Sequence, residues 1–160
     1  MTCSSVVRIG RPEDHREIWR LILQGHKEIG TFELSPEKVQ WFMTRALAPH
    51  TIPSGDMGPR GIIGVIGSEG ALEGMAFILI SEFWYTNDKH LEEILVYVDP
   101  ECRKSRHAKA LIDWMKYQSR ETGLKLVTGI FTLSEKTEAK CRLYRRVLPK
   151  AGEFFLYSGT

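Results

Sequence analysis

Residues 92–112 read EEILVYVDPECRKSRHAKALI, and this stretch decides how the rest of the chain is read. Residues 94–98 are β-branched, aliphatic and aromatic, the composition of a buried strand. Asp99 and Pro100 end it, because Pro has no donor for a sheet ladder. Arg103, Lys104, Arg106, His107 and Lys109 then crowd the head of an amphipathic helix. That is the wrong end for positive charge, since the macrodipole already makes a helix N-terminus positive. An anion docked on the loop resolves the conflict, so the stretch predicts a site for a phosphate-bearing ligand.

Outward from that stretch, the pattern is strand, two helices, three strands, helix, strand, helix, strand. Residues 6–9 form a short strand. Pro12 suits a first helical position, and Glu13 and Asp14 suit the positive end of a helix carrying Ile18, Leu21 and Ile22 on one face. Gly25 is expected to weaken that helix near its end. Ser35 caps a second helix, where Val39, Phe42, Met43 and Ala46 repeat at helical spacing. A core stripe is the simplest reading, and pocket-lining aromatics the alternative. Residues 48–60 are a Pro- and Gly-rich loop that holds His50 and Asp56. Residues 61–67 and 71–83 form a hairpin about 68–70. Phe83, Trp84 and Tyr85 close it, as sheet-edge packing or as a pocket wall. After the strand over 90–98, a helix over 105–122 buries Ala108, Leu111, Ile112 and Met115, and Gly123 suits the position past its end. A strand over 124–131, a helix over about 135–146 capped by Ser134, and a strand over 153–157 complete the chain. The strand–helix–strand order around residue 100 is that of a parallel crossover. The class is α+β (α/β), a mixed sheet flanked by helices, in a single domain over residues 1–160.

The 160 residues are enough for one sizeable core, and 42% apolar with 26% charged is ordinary for a globular chain. The net charge of +2 argues against general nucleic-acid binding, although Arg142, Arg145, Arg146 and Lys150 make a local basic stretch. That stretch reads as a solvated helix face or a further phosphate contact. The three cysteines lack C-x-x-C spacing, which argues against a disulfide framework and predicts no metal. Cys102 neighbours cationic residues, but no Cys–His–acid set is apparent along the sequence. No apolar run or leader of membrane type is found, so no membrane association and a cytoplasmic location are expected.

With these residues in place, the chain resembles the GNAT superfamily of acyl-CoA-dependent N-acyltransferases. The family signature is a strand ending in Val-x-Pro, then Arg or Gln, two residues, Gly, one residue, and Gly or Ala. Val98-Asp99-Pro100 matches the strand end, and Arg103, Arg106 and Ala108 follow at the family spacing. Arg106 stands where the family usually has Gly. The opening Val7-Arg8-Ile9 with Pro12-Glu13-Asp14, and the Leu143-Tyr144 pair, are also similar to family segments. Residues 103–109 resemble a variant associated with phage- and prophage-encoded members. The resemblance implies a central mixed, mostly antiparallel sheet whose parallel strand pair is splayed at the acyl-CoA site, with helices on both faces. It implies acetyl-CoA as co-substrate, held by Arg103, Lys104, Ser105, Arg106, His107 and Ala108. The backbone at Tyr97 and Val98 would polarise the thioester, and residues 126–129 would form the other wall. It implies a homodimer as a common assembly and an amine as acceptor.

Amine transfer gives the remaining residues their roles. A lysine-type amine with pKa near ~10.4 is almost wholly protonated at neutral pH, so a general base is useful. Strand alternation sets Glu93, Leu95 and Tyr97 on one face and Glu92, Ile94 and Val96 on the other. Glu93 falls at the family's base position, with Glu92 as the alternative, and Tyr144 at the position of the general acid. Thr137 and Lys140 stand where the family has Asn and Ala earlier in that helix. A coenzyme-binding module without turnover is the alternative function.

Overall fold

The computed structural model describes residues 6–30, 32–48, 60–130 and 137–152. Its elements are β1 (Arg8–Ile9), α1 (His15–Ile29), α2 (Pro36–Leu47), β2 (Gly61–Ser68), β3 (Ala71–Glu82), β4 (Lys89–Val98), α3 (His107–Thr122), β5 (Lys125–Val127) and α4 (Thr137–Val147). The five strands form one sheet in the order β1-β2-β3-β4-β5. Every pairing is antiparallel except β4 with β5, which is parallel. The expected mixed sheet with one parallel pair is therefore present. The anticipated strand over 153–157, the cap at Ser134 and most of the 48–60 loop, with His50 and Asp56, lie outside the described residues.

Apolar residues at period two cover both faces of the sheet. On one face, Ile63, Val65, Met75, Phe77 and Tyr97 meet Ile18 and Leu21 of α1 and Met43 and Leu47 of α2. Val39, Phe42 and Ala46 pack against this cluster, so the α2 stripe is core. On the other face, Ile66, Ala76, Ile78 and Leu91 meet Leu111, Ile112 and Met115 of α3, with Leu143 and Tyr144 of α4 alongside. Gly64 lets the Trp114 ring lie directly on the strand, where a Cβ would stand 2.8 Å from its carbons.

The helix ends follow local chemistry. Ser35 Oγ accepts the Lys38 N–H at 3.4 Å, capping α2 as expected. Helix α1 runs through Gly25, which faces the Tyr97 ring, and ends at Gly30 with φ 59°. Gly25 thus packs against Tyr97 in the last turns of the helix. Asp14 is buried and accepts two hydrogen bonds from the Arg8 guanidinium, at 2.6 and 2.7 Å. Phe83, Trp84 and Tyr85 sit exposed in the β3–β4 turn, with the Phe83 ring stacked on His90.

Two β-bulges interrupt the ladders. On β3, Ile66 pairs with Gly74 and Gly67 with Leu72, so Glu73 is an extra residue. On β4, Phe77 pairs with Leu95 and Ile78 with Glu93, so Ile94 is extra. The second bulge corrects the alternation expected above. Glu93 shares the α3 and α4 face with its partner Ile78, while Leu95 and Tyr97 stay on the α1 face. One inserted residue reverses every side chain beyond it, so counting by twos across residue 94 fails.

Candidate active site

Strands β4 and β5 pair over only three positions, from His90 with Lys125 to Glu92 with Val127. Beyond that, among the described residues, the β5 side of β4 has no strand partner, and a cleft of about 280 Å³ opens. Residues Glu92, Glu93, Ile94, Leu95 and Val96 form one wall, and Val127, Thr128, Gly129 and Ile130 the other. Ile29 of α1 and Lys140 and Tyr144 of α4 complete it. Tyr97 and Val98, expected at this wall, lie outside the lining. The Tyr97 side chain is buried against α1 and its hydroxyl donates to Glu28 at 3.0 Å; burial, with this hydrogen bond, pushes its pKa up to about 12.

Glu93 and Tyr144 meet inside this cleft. The Tyr144 hydroxyl donates to Glu93 Oε1 at 2.6 Å, while Oε2 is buried without a hydrogen-bond partner. Burial pushes the Glu93 carboxyl up to about 7, against the opposing effects of the Tyr144 hydrogen bond and the Lys140 charge. Burial and the adjacent Glu93 charge hold the Tyr144 hydroxyl well above the usual phenol range. A cleft-lining carboxyl poised near neutrality is suited to accept a proton. Sequence reasoning missed Ile29 and Lys140 as cleft residues, because their approach depends on tertiary packing.

The cationic loop follows β4 through a 3-10 turn at Pro100–Cys102. Arg103 folds back on the body: its Nε donates to the Val98 carbonyl at 3.1 Å, its guanidinium pairs with Glu28, and it lies over the Tyr97 ring. Ser105 Oγ donates to the Cys102 carbonyl at 2.5 Å and accepts the His107 N–H at 3.2 Å. His107 is buried, and its Nε2 meets Glu73 Oε2 at 2.5 Å. Lys104 and Arg106 are exposed. Ala108 lies in the first turn of α3, where backbone N–H groups have no acceptor within the helix. The side chains of Arg103, Ser105 and His107 are thus occupied within the protein. Lys104 and Arg106 remain turned to solvent beside the N-terminus of α3, a combination suited to an anion.

A mixed sheet parted at its parallel pair, with a cationic loop and helix N-terminus beyond, defines an acyl-CoA transferase type of architecture. A model of the Acetyltransferase (GNAT) family matches residues 32–148. The chain belongs to the GNAT acetyltransferase family. A search of curated proteins finds no significant match. Among solved structures, a ribosomal-protein-alanine N-acetyltransferase from Brucella melitensis is 17% identical, with a TM-score of 0.65 over 96% of this chain and 99% of that one. An aminoglycoside acetyltransferase from an uncultured soil metagenomic sample, in complex with sisomicin, is 14% identical, with a TM-score of 0.64 over 97% of this chain and 96% of that one. An acetyltransferase from Trypanosoma brucei is 20% identical, with a TM-score of 0.61 over 97% and 99%. Among the described residues, no helix is long and apolar enough to cross a membrane.

Proposed function

We propose that this chain transfers an acetyl group from acetyl-CoA to a primary amine by direct attack in a ternary complex. The observation that carries this reading is the Glu93–Tyr144 pair set in the cleft where β4 and β5 part. Family membership supports the coenzyme, and the loop at 103–108 supplies cationic side chains and N-terminal helix amides for its phosphates.

Glu93 takes the proton from the attacking amine, directly or through a water. With a pKa of about 7, roughly half the molecules hold the base form at neutral pH. Protonation removes the negative charge that Tyr144 faces, so the phenol becomes a better acid at that moment. Tyr144 gives its proton to the departing thiolate, and Glu93 returns one to the phenolate across their 2.6 Å contact. The proton count closes: one leaves the amine and one reaches the thiol.

The acceptor follows from no single residue. Acetyl-CoA should bind in calorimetry, and radiolabelled acetyl-CoA should then label one member of an amine panel. Protein N-termini and aminoglycosides belong in it, since the similar structures include a ribosomal-protein-alanine N-acetyltransferase and an aminoglycoside acetyltransferase, with lysine peptides, polyamines and modified nucleobases. No heat at high micromolar acetyl-CoA sinks the proposal. Binding without any transfer favours the alternative of a coenzyme-binding module, which Arg106 in the usual Gly position motivates.

A further inference from the structure

We propose that Glu73, Cys102 and His107 form a divalent metal site, with zinc as the ion their chemistry selects, at the foot of the loop over residues 103–106. The three residues come from separate elements, and one ligand atom from each lies within 4.8 Å of the others. Among the described residues this is the one group of three or more His, Cys, Asp and Glu side chains so arranged.

Each donor is held in place by backbone geometry. Glu73 is the extra residue of the β3 bulge, and bulges re-aim side chains. Its carbonyl accepts the Asp99 N–H at 2.8 Å, tying β3 to the turn that follows β4. Cys102 closes the 3-10 turn, with its N–H on the Asp99 carbonyl at 2.8 Å and its own carbonyl accepting from Ser105. It is half-buried and outside any disulfide. His107 is only 1% exposed, which fixes its ring, and its Nδ1 is buried with no hydrogen-bond partner. The nitrogen that faces Glu73 is Nε2, so Nε2 is the donor this site would use.

The donor types choose the ion. Thiolate with imidazole is a poor match for calcium or magnesium and a good one for zinc, and one carboxylate completes a three-donor set with a fourth position for water. The His107–Glu73 contact at 2.5 Å needs a proton between the two atoms. A divalent ion takes the place of that proton and of the Cys102 thiol proton, and both leave to solvent. Two of the donors, Cys102 and His107, bracket residues 103–106, so the ion pins both ends of the cationic loop. This departs from the expectation of no metal, which rested on cysteine spacing. Glu73 lies in another strand, and only the fold brings it to the other two. The site stands on this geometry alone and does not depend on the proposed transfer reaction.

The test is metal binding to the full-length chain, stripped by chelator and titrated with zinc by calorimetry and with cobalt by absorbance, without coenzyme. The expected result is one ion per chain and a thiolate-to-cobalt charge-transfer band. Cys102→Ser should abolish the band, whereas Cys3→Ser and Cys141→Ser should keep it. Glu73→Gln, at a half-buried position, should weaken affinity about tenfold or more where circular dichroism shows that it folds. His107→Gln should do the same where circular dichroism shows that it folds. No stoichiometric binding, or a band that survives Cys102→Ser, overturns the proposal.

Discussion

Glu93 is held in tension between a buried position and a charge. The folded state binds its proton more tightly than the unfolded chain does, with a pKa of about 7 against 4.5. Stability from this group is therefore fully present below about pH 4.5 and lost as pH rises through about 7. The loss is on the order of 3 kcal/mol. Urea melts of wild type at pH 5 and pH 8 should show that fall, and Glu93→Gln should lack it. In catalysis the same substitution should lower kcat about a hundredfold or more, with coenzyme affinity nearly unchanged. It should also erase the bend near pH 7 in the rate profile, and an unaltered profile rules Glu93 out as base. Tyr144→Phe removes the hydrogen bond that holds the Glu93 pKa down. The bend should then move to higher pH, and kcat should fall through loss of the acid. Profiles of kcat/KM against pH separate the two effects. The sequence named both residues through the family pattern. It did not say that they touch, because residues 51 positions apart meet only when α4 packs across β4.

Among elements, strand β4 supplies one whole wall of the cleft. Helix α3 packs on the same sheet through close approach at Gly64 of β2, where a methyl group would meet the Trp114 ring at 2.8 Å. Gly64→Ala should cost about 1–3 kcal/mol. The urea midpoint should fall while the slope stays constant. Most elements were legible from period and punctuation: the Ser35 cap, the hairpin at residues 68–70, the strand ended by Pro100 and the helix ended at Gly123. Bulges were not legible. Neither Glu73 nor Ile94 breaks the composition of its strand, and an inserted residue shows only against a partner strand. Side-chain direction in the cationic loop was also hidden. The charges of Arg103 and His107 suggested phosphate contacts, yet Glu28 and Glu73 take up those side chains. Their carboxylates arrive from α1 and β3, far along the chain.

For the whole molecule, the parted sheet is a structure whose stability should respond to whatever fills it. A ligand at a hundredfold excess over its Kd adds about 2.7 kcal/mol by mass action. For a chain of this size that raises Tm by about 5–10 °C. Acetyl-CoA should give this shift in a thermal melt, and a free nucleotide without the pantetheine arm should give less. An equal shift from both would place the binding energy in the loop alone. The global topology was readable because each local signal agreed with it, from the α2 cap to the crossover at Pro100. Ile94 has a consequence for mapping this protein by mutation. Its side chain is 47% exposed, so an alanine scan should score it as dispensable. Its contribution is the count of residues, which truncating a side chain leaves untouched. Single-residue deletions and insertions, rather than substitutions, are the scan that would register what this position does.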